Sequence, residues 1–256
     1  MRRGIVLGVP GAVIVTGAGL LVETRRVAHA PLPHFEDLDP SGTYGPVPGG
    51  TPQVRISVLG DSSVTAPGLA SGSRSWIAQL AARLPVPCEL RSHAKGGSRV
   101  RDVLEDQCGP ALDAGADLFV LAVGANDVMH ATPLARFRRD TASVLEALAG
   151  RAPVLALGIG DLSIIPRLPP SLRPLVRWRS RVLDGAHDSV TRGLDGVTRV
   201  SVREVADPLF ADPPGDIFTA DRFHPNELGH TLWARGFEPF VLDALGLAGS
   251  PQVLPQ

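Results

Sequence analysis

Cysteine is nearly absent from this chain of 256 residues, which carries only Cys88 and Cys108. Two thiols cannot make a zinc site alone, and their spacing fits no CxxC redox motif. An excess of either charge is also missing, since 25 Lys and Arg meet 26 Asp and Glu for a formal net charge of −1. That balance offers no electrostatic footprint for nucleic acid. No GxGxxG and no GxxxxGK(S/T) phosphate loop follows the first strand-like run, which argues against nucleotide binding. No internal repeat is visible. What remains is ordinary globular composition, 44% hydrophobic and 20% charged, ample for one buried core in one domain.

The two ends of the chain differ from its middle. Arg2 and Arg3 precede an apolar run from Gly4 to Val22, closed by Glu23, Thr24, Arg25 and Arg26. The run is about long enough to span a bilayer as a helix and longer than a usual signal-peptide core. Ala28-His29-Ala30 has the A-x-A cleavage pattern, but Pro31 follows it directly. Residues 1–30 therefore read as a membrane anchor through 4–22 or, if cleaved, as a signal peptide. The catalytic domain is then expected outside the cytoplasm, in the cell envelope or secreted. Residues 31–52, rich in Pro, Gly and acids without an apolar period, read as a linker. A domain follows over 53–248, and 249–256 is a tail. Export would permit a Cys88–Cys108 disulfide, with two buried thiols as the equal alternative.

Within the domain, strand and helix patterns alternate. Strands are expected at Val54–Leu59, Cys88–Ala94, Leu118–Val123, Val154–Leu157 and Val197–Val202. Helices are expected at Ser73–Leu84, Val100–Leu112, Pro133–Leu148, Pro174–Thr191 and Asn226–Leu245. This β-α order implies a parallel sheet covered on both faces, a three-layer α/β/α sandwich. Ligands bind such sheets beyond the carboxyl ends of the strands.

Four polar stations fall just past strands or before the last helix: Gly60-Asp61-Ser62, Lys95-Gly96-Gly97-Ser98, Gly124-Ala125-Asn126-Asp127 and Asp221-Arg222-Phe223-His224. The topology gathers all four at one edge. A serine hydroxyl needs a base to take its proton, and histidine suits that task near neutral pH. A carboxylate must hold the imidazole in one tautomer, and Asp221 stands three residues before His224. The oxyanion then needs donors, which the backbone N–H groups of Ser62 and Gly97 and the side-chain amide of Asn126 can provide. Together these blocks, in this order, resemble the SGNH (GDSL-type) hydrolases. The resemblance covers about residues 54–245. It implies a flavodoxin-like sandwich with five parallel strands and esterase or related acyl-hydrolase activity. It carries Ser62 as nucleophile, Asp221 and His224 as the rest of the triad, and Ser62, Gly97 and Asn126 as the oxyanion hole. No metal and no organic cofactor is implied. Adjacent Gly96 leaves the donor glycine uncertain by one, with the frame of the block favouring Gly97. Ser63, not leucine, follows the nucleophile, and Ser92 stands near the place where asparagine usually opens the second block.

The substrate is expected to be a small acyl ester, a lipid or an acetylated glycan. The same acyl-enzyme could serve an acyltransferase with a sugar hydroxyl as acceptor, and a non-catalytic binding module is the rival from another class. Among the remaining polar residues, Asp61 is expected to cap or brace its loop, Asp127 to orient the Asn126 loop, and His230 to be structural. His130, His93 and Lys95 are expected at the surface, as are the arginines 136, 138, 139, 177, 179 and 181. The apolar, proline-stiffened loop from Gly158 to Arg173 follows the fourth strand, where it can form an acyl-binding wall, a membrane-facing lid, or simply pack on the domain.

Overall fold

In the computed structural model, residues 33–46, 51–213 and 215–248 are described. The expectations for residues 1–30 and for the tail 249–256 lie outside them. No helix among the described residues is long and apolar enough to cross a membrane.

Six strands form one sheet: β1 (Gly42–Tyr44), β2 (Val54–Gly60), β3 (Cys88–Ser92), β4 (Leu118–Ala122), β5 (Val154–Leu157) and β6 (Val197–Val200). Their order is β1-β3-β2-β4-β5-β6. The last five are mutually parallel, as their sequence pattern requires. Strand β1 pairs antiparallel with β3, Gly42 opposite Leu90 and Tyr44 opposite Cys88. The expected linker is therefore corrected over residues 33–46, which lie on the domain and add a strand to it. Three residues carry no readable period; the open edge of β3 supplies their pairing.

Helices α1 (Ser62–Thr65), α2 (Trp76–Arg83), α3 (Val100–Asp102) and α4 (Cys108–Ala114) follow in order, α3 and α4 joined by a π-helical stretch, Val103–Gln107. Then come α5 (Ala125–Met129), α6 (Leu134–Ala149), α7 (Arg173–Thr191), α8 (Val202–Val205), α9 (Asp207–Ala211) and α10 (Glu227–Ala244). The long helices stop and start where their caps dictate. Ser75 Oγ accepts from Ala78 N ahead of α2, and Asn226 Oδ1 accepts from Gly229 N ahead of α10. The expected last strand is two residues too long, because Val202 opens α8 instead.

Period-two side-chain alternation sends Val58, Leu118, Val120, Leu155 and Leu157 to one face of the sheet. There they meet α2 and α10, joined by an edge-to-face contact of Trp76 and Phe237 with centroids 5.3 Å apart. Leu59, Phe119, Leu121, Val154 and Ala156 go to the other face, under α6 and α7. The result is the three-layer sandwich. Cys88 belongs to the first face and Cys108 to the second, both buried and free. The sheet separates the two thiols, so the disulfide is not formed.

Candidate active site

The turn after β2 is built by Asp61. Its backbone is extended, and its Oδ1 accepts from Ser63 N at 2.9 Å, capping α1 as expected. Burial, with the Asp127 carboxylate nearby, pushes the Asp61 carboxyl up to about 6, against the opposing Ser63 hydrogen bonds. Ser62 is thereby the first residue of a short helix, half-buried, at the carboxyl end of the central strand. Its hydroxyl has no hydrogen-bond partner among the described residues. The Ser63 hydroxyl, by contrast, faces the Ala122 carbonyl at 3.5 Å.

The second station is a tight turn, Ser98 N donating to Lys95 O at 3.2 Å. Gly97, its third residue, has φ +79°, the left-handed conformation that glycine adopts without steric cost. Asp37 Oδ2 accepts the Gly96 N–H at 2.8 Å, whereas the Gly97 N–H has no partner among the described residues. Between the two glycines, Gly97 is the one with a free donor. Asn126 Nδ2 donates to Ser98 O at 3.0 Å. An amide nitrogen carries two hydrogens, so this bond fixes the plane and leaves the second hydrogen available. Gln107, in the π-helical stretch, was not singled out by sequence reasoning. Its Oε1 accepts from Gly60 N, and its Nε2 donates to Gly60 O and to Ser98 Oγ, at 2.9, 2.9 and 3.1 Å. It ties the end of β2 to the glycine turn.

The fourth station closes on itself. Asp221 Oδ2 lies 2.6 Å from His224 Nδ1, while Oδ1 accepts from Thr219 Oγ1, Phe223 N and His224 N at 2.7, 2.8 and 3.0 Å. Burial raises the Asp221 carboxyl, but these donors outweigh it and hold it below the usual carboxylate range. No hydrogen bond joins His224 to Ser62. In unliganded sites such bonds are often long and tighten only when substrate binds. Two hollows meet at these residues. One, of about 160 Å³, is apolar and lined among others by Val123, Leu157, Ile159, Leu162, Phe210 and Trp233 beside Ser62 and His224. The other, of about 590 Å³, holds Ser62, Gly97, Asn126 and His224 together with His34–Asp37, Arg167 and Leu168. Asp221, buried beneath His224, lines neither.

Several neighbours take the places expected of them. Asp127 is buried and accepts from Val100 N at 3.0 Å, bracing the Asn126 loop. His230 is fully buried, with Nδ1 accepting from Trp76 N at 3.2 Å; burial and nearby His224 push it down to about 3. His130 and Lys95 are exposed. His93, expected at the surface, is instead half-buried with its Nε2 enclosed, because its backbone N–H still donates to Val58 O at 2.9 Å and keeps it on the line of β3; it lines neither hollow. Arg179 departs from its expected place too. It is half-buried, and its guanidinium donates to the carbonyls of Asp127, Val128 and Thr132 at 3.3, 3.0 and 2.5 Å. The expected solvated face is wrong for this residue because carbonyls of α5 and of the turn after it converge on its guanidinium, whose several N–H donors can serve all three. The Gly158–Arg173 loop lines both hollows, Leu162, Ile164 and Ile165 the first and Arg167 and Leu168 the second. No group of three or more His, Cys, Asp or Glu able to hold a metal occurs among the described residues.

Comparison with solved structures agrees with the fold. LAE5, an alpha/beta hydrolase enzyme from the metagenome of Lake Arreo, Spain, superimposes with TM-score 0.61 at 19% identity, covering 78% of this chain and 99% of that one. TesA gives TM-score 0.61 at 21% identity, covering 75% and 99%. An acetyl xylan esterase from Geobacillus stearothermophilus gives 0.56 at 16%, covering 77% and 96%. Among curated proteins no sequence match is found. The sequence pattern of one family runs over residues 58–232, from the strand before Ser62 into the helix after His224, and so takes in all four stations. The chain belongs to the GDSL-like Lipase/Acylhydrolase family.

Proposed function

We propose that this protein is a serine esterase that cleaves carboxylic esters with an apolar acyl group. Ser62 Oγ attacks the ester carbonyl while His224 Nε2 takes its proton. Asp221 keeps the proton on Nδ1, so that Nε2 is the basic nitrogen, and stabilises the imidazolium that forms. The oxyanion is met by the N–H groups of Ser62 and Gly97 and by the free hydrogen of Asn126 Nδ2. Collapse expels the alcohol, protonated by His224, and water repeats the sequence on the acyl-enzyme.

The observation that carries this reading is the meeting of an apolar cavity and a more polar groove at Ser62 and His224. An acyl chain fits the first and an alcohol the second. The aliphatic and aromatic lining favours an acyl group longer than acetyl, which sets this chain apart from its acetyl xylan esterase neighbour. The apolar run at 4–22 favours a catalytic domain held at, or exported across, a membrane, and the mass of the mature N-terminus tests that placement.

The activity is tested by hydrolysis of p-nitrophenyl esters of graded acyl length. Rates are expected to peak above acetyl, and Ser62→Ala to lower kcat at least about a hundredfold. Undiminished turnover in Ser62→Ala would overturn the nucleophile, and a flat chain-length profile would remove the acyl role of the cavity.

A further inference from the structure

Residues 34–37 line the groove, and the segment 33–41 that carries them fits the domain at three glycines. A Cβ on Gly68 would stand 2.9 Å from the Phe35 ring, one on Gly96 2.3 Å from Asp37 Oδ1, and one on Gly72 1.9 Å from the Asp39 carbonyl oxygen. Alternate residues of the segment thus enter notches where only glycine leaves room. Leu38 N donates to Thr65 O at 2.9 Å, and Tyr44 Oη donates to Pro40 O at 2.7 Å, fixing the segment fore and aft.

Asp37 is the residue of this strap that reaches the chemistry. One carboxylate oxygen accepts from Thr65 Oγ1 at 2.7 Å and the other from Gly96 N at 2.8 Å. The turn it grips contains two consecutive glycines, the softest backbone available, and rotation of their shared peptide reverses the Gly97 N–H. On the far side that turn is pinned by Asn126 and Gln107 through Ser98. On the near side, Asp37 is the side chain that holds it. We infer that Asp37 is a positioning residue: from a segment outside the family's matched region, it locks the Gly96-Gly97 turn so that the Gly97 N–H stays aimed at the developing oxyanion. This rests on the esterase reading above. The binding energy of a tetrahedral adduct, not of the substrate, should then depend on Asp37.

The test uses the full chain and four variants: Asp37→Ala, Asp37→Asn, Tyr44→Phe and Ser62→Ala. Turnover of p-nitrophenyl butyrate and inhibition by an alkylboronic acid, which forms a tetrahedral adduct on serine, are measured alongside Tm. Asp37→Ala is expected to lower kcat about tenfold or more with KM within about twofold, and to weaken the boronic acid by a similar factor. Asp37→Asn, whose amide oxygen can still accept from Gly96 N, should restore kcat to within about threefold of the parent. Tyr44→Phe loosens the strap away from the turn and should leave kcat unchanged. The inference is overturned if kcat of Asp37→Ala stays within about twofold, if KM alone rises, or if Tyr44→Phe lowers kcat as much. Undiminished turnover in Ser62→Ala would instead sink the esterase reading, independently of Asp37.

Discussion

A buried carboxylate beside the candidate nucleophile carries a stability cost that pH can expose. Asp61 is pushed up to about 6 in the fold by burial, against the ordinary 3.8. Between those values the folded chain holds a proton that the unfolded chain has released, so stability falls as pH rises through that window. Asp61→Asn keeps an acceptor for Ser63 N and removes the charge. It should raise unfolding free energy above pH 6 by up to about 3 kcal/mol, the gain vanishing below pH 4, as urea denaturation across that range would reveal. The candidate site was legible at this scale wherever a residue acts through a short local pattern. Asp61 capping α1 and Asp221 gripping His224 are contacts over two or three positions. Arg179 was not legible, because its partners lie about fifty residues away, and an arginine among arginines looks like any solvated face. Gln107 was hidden for the same reason.

The glycine turn and the Asn126 loop are held by elements that have no chemistry of their own. The π-helical stretch at Val103–Gln107 delivers the Gln107 amide to Gly60 and Ser98. The insertion of an extra residue per turn re-aims a side chain, and such stretches gather near functional sites. Gln107→Leu would leave the Gly60 N–H buried without its acceptor. Loss of about 2 kcal/mol or more in chemical denaturation is expected, together with a lower kcat as the turn loosens. Arg179→Met should act on the other side, releasing α5 and the turn after it at Asp127, Val128 and Thr132; a kcat loss with near-normal KM would mark it as holding Asn126 in place. Sequence periodicity found the five parallel strands and the long helices because each buries a continuous or regularly spaced apolar set. It missed α8 and α9, too short to show a period, and it could not tell a π-helical stretch from the α-helix around it.

Across the whole molecule, two faces of one sheet are sealed and titratable groups are trapped within. His187 is buried on the far side of the sheet from His230, and burial pushes it down to about 4, with the Arg199 cation nearby. The unfolded chain takes up this proton near pH 6.5, so stability is complete above that value and falls with pH down to about 4, by about 1.4 kcal/mol per unit. Replacing His187→Met should flatten that limb of the stability curve by one proton, read from denaturation at pH 7, 6, 5 and 4. The alternation of strands and helices made this three-layer plan readable in advance. The docked segment before it was not, since its fit depends on glycines met thirty or more residues later. Strand β1 has a practical corollary for where the protein can be cut. A chain begun at residue 53, where the sequence pattern places the start of the domain, would bare the outer row of amides and carbonyls on Cys88–Ser92. Such a row recruits any strand that meets it, so the shortened protein should form sheet-linked oligomers in light scattering while a chain begun before Pro33 stays dispersed.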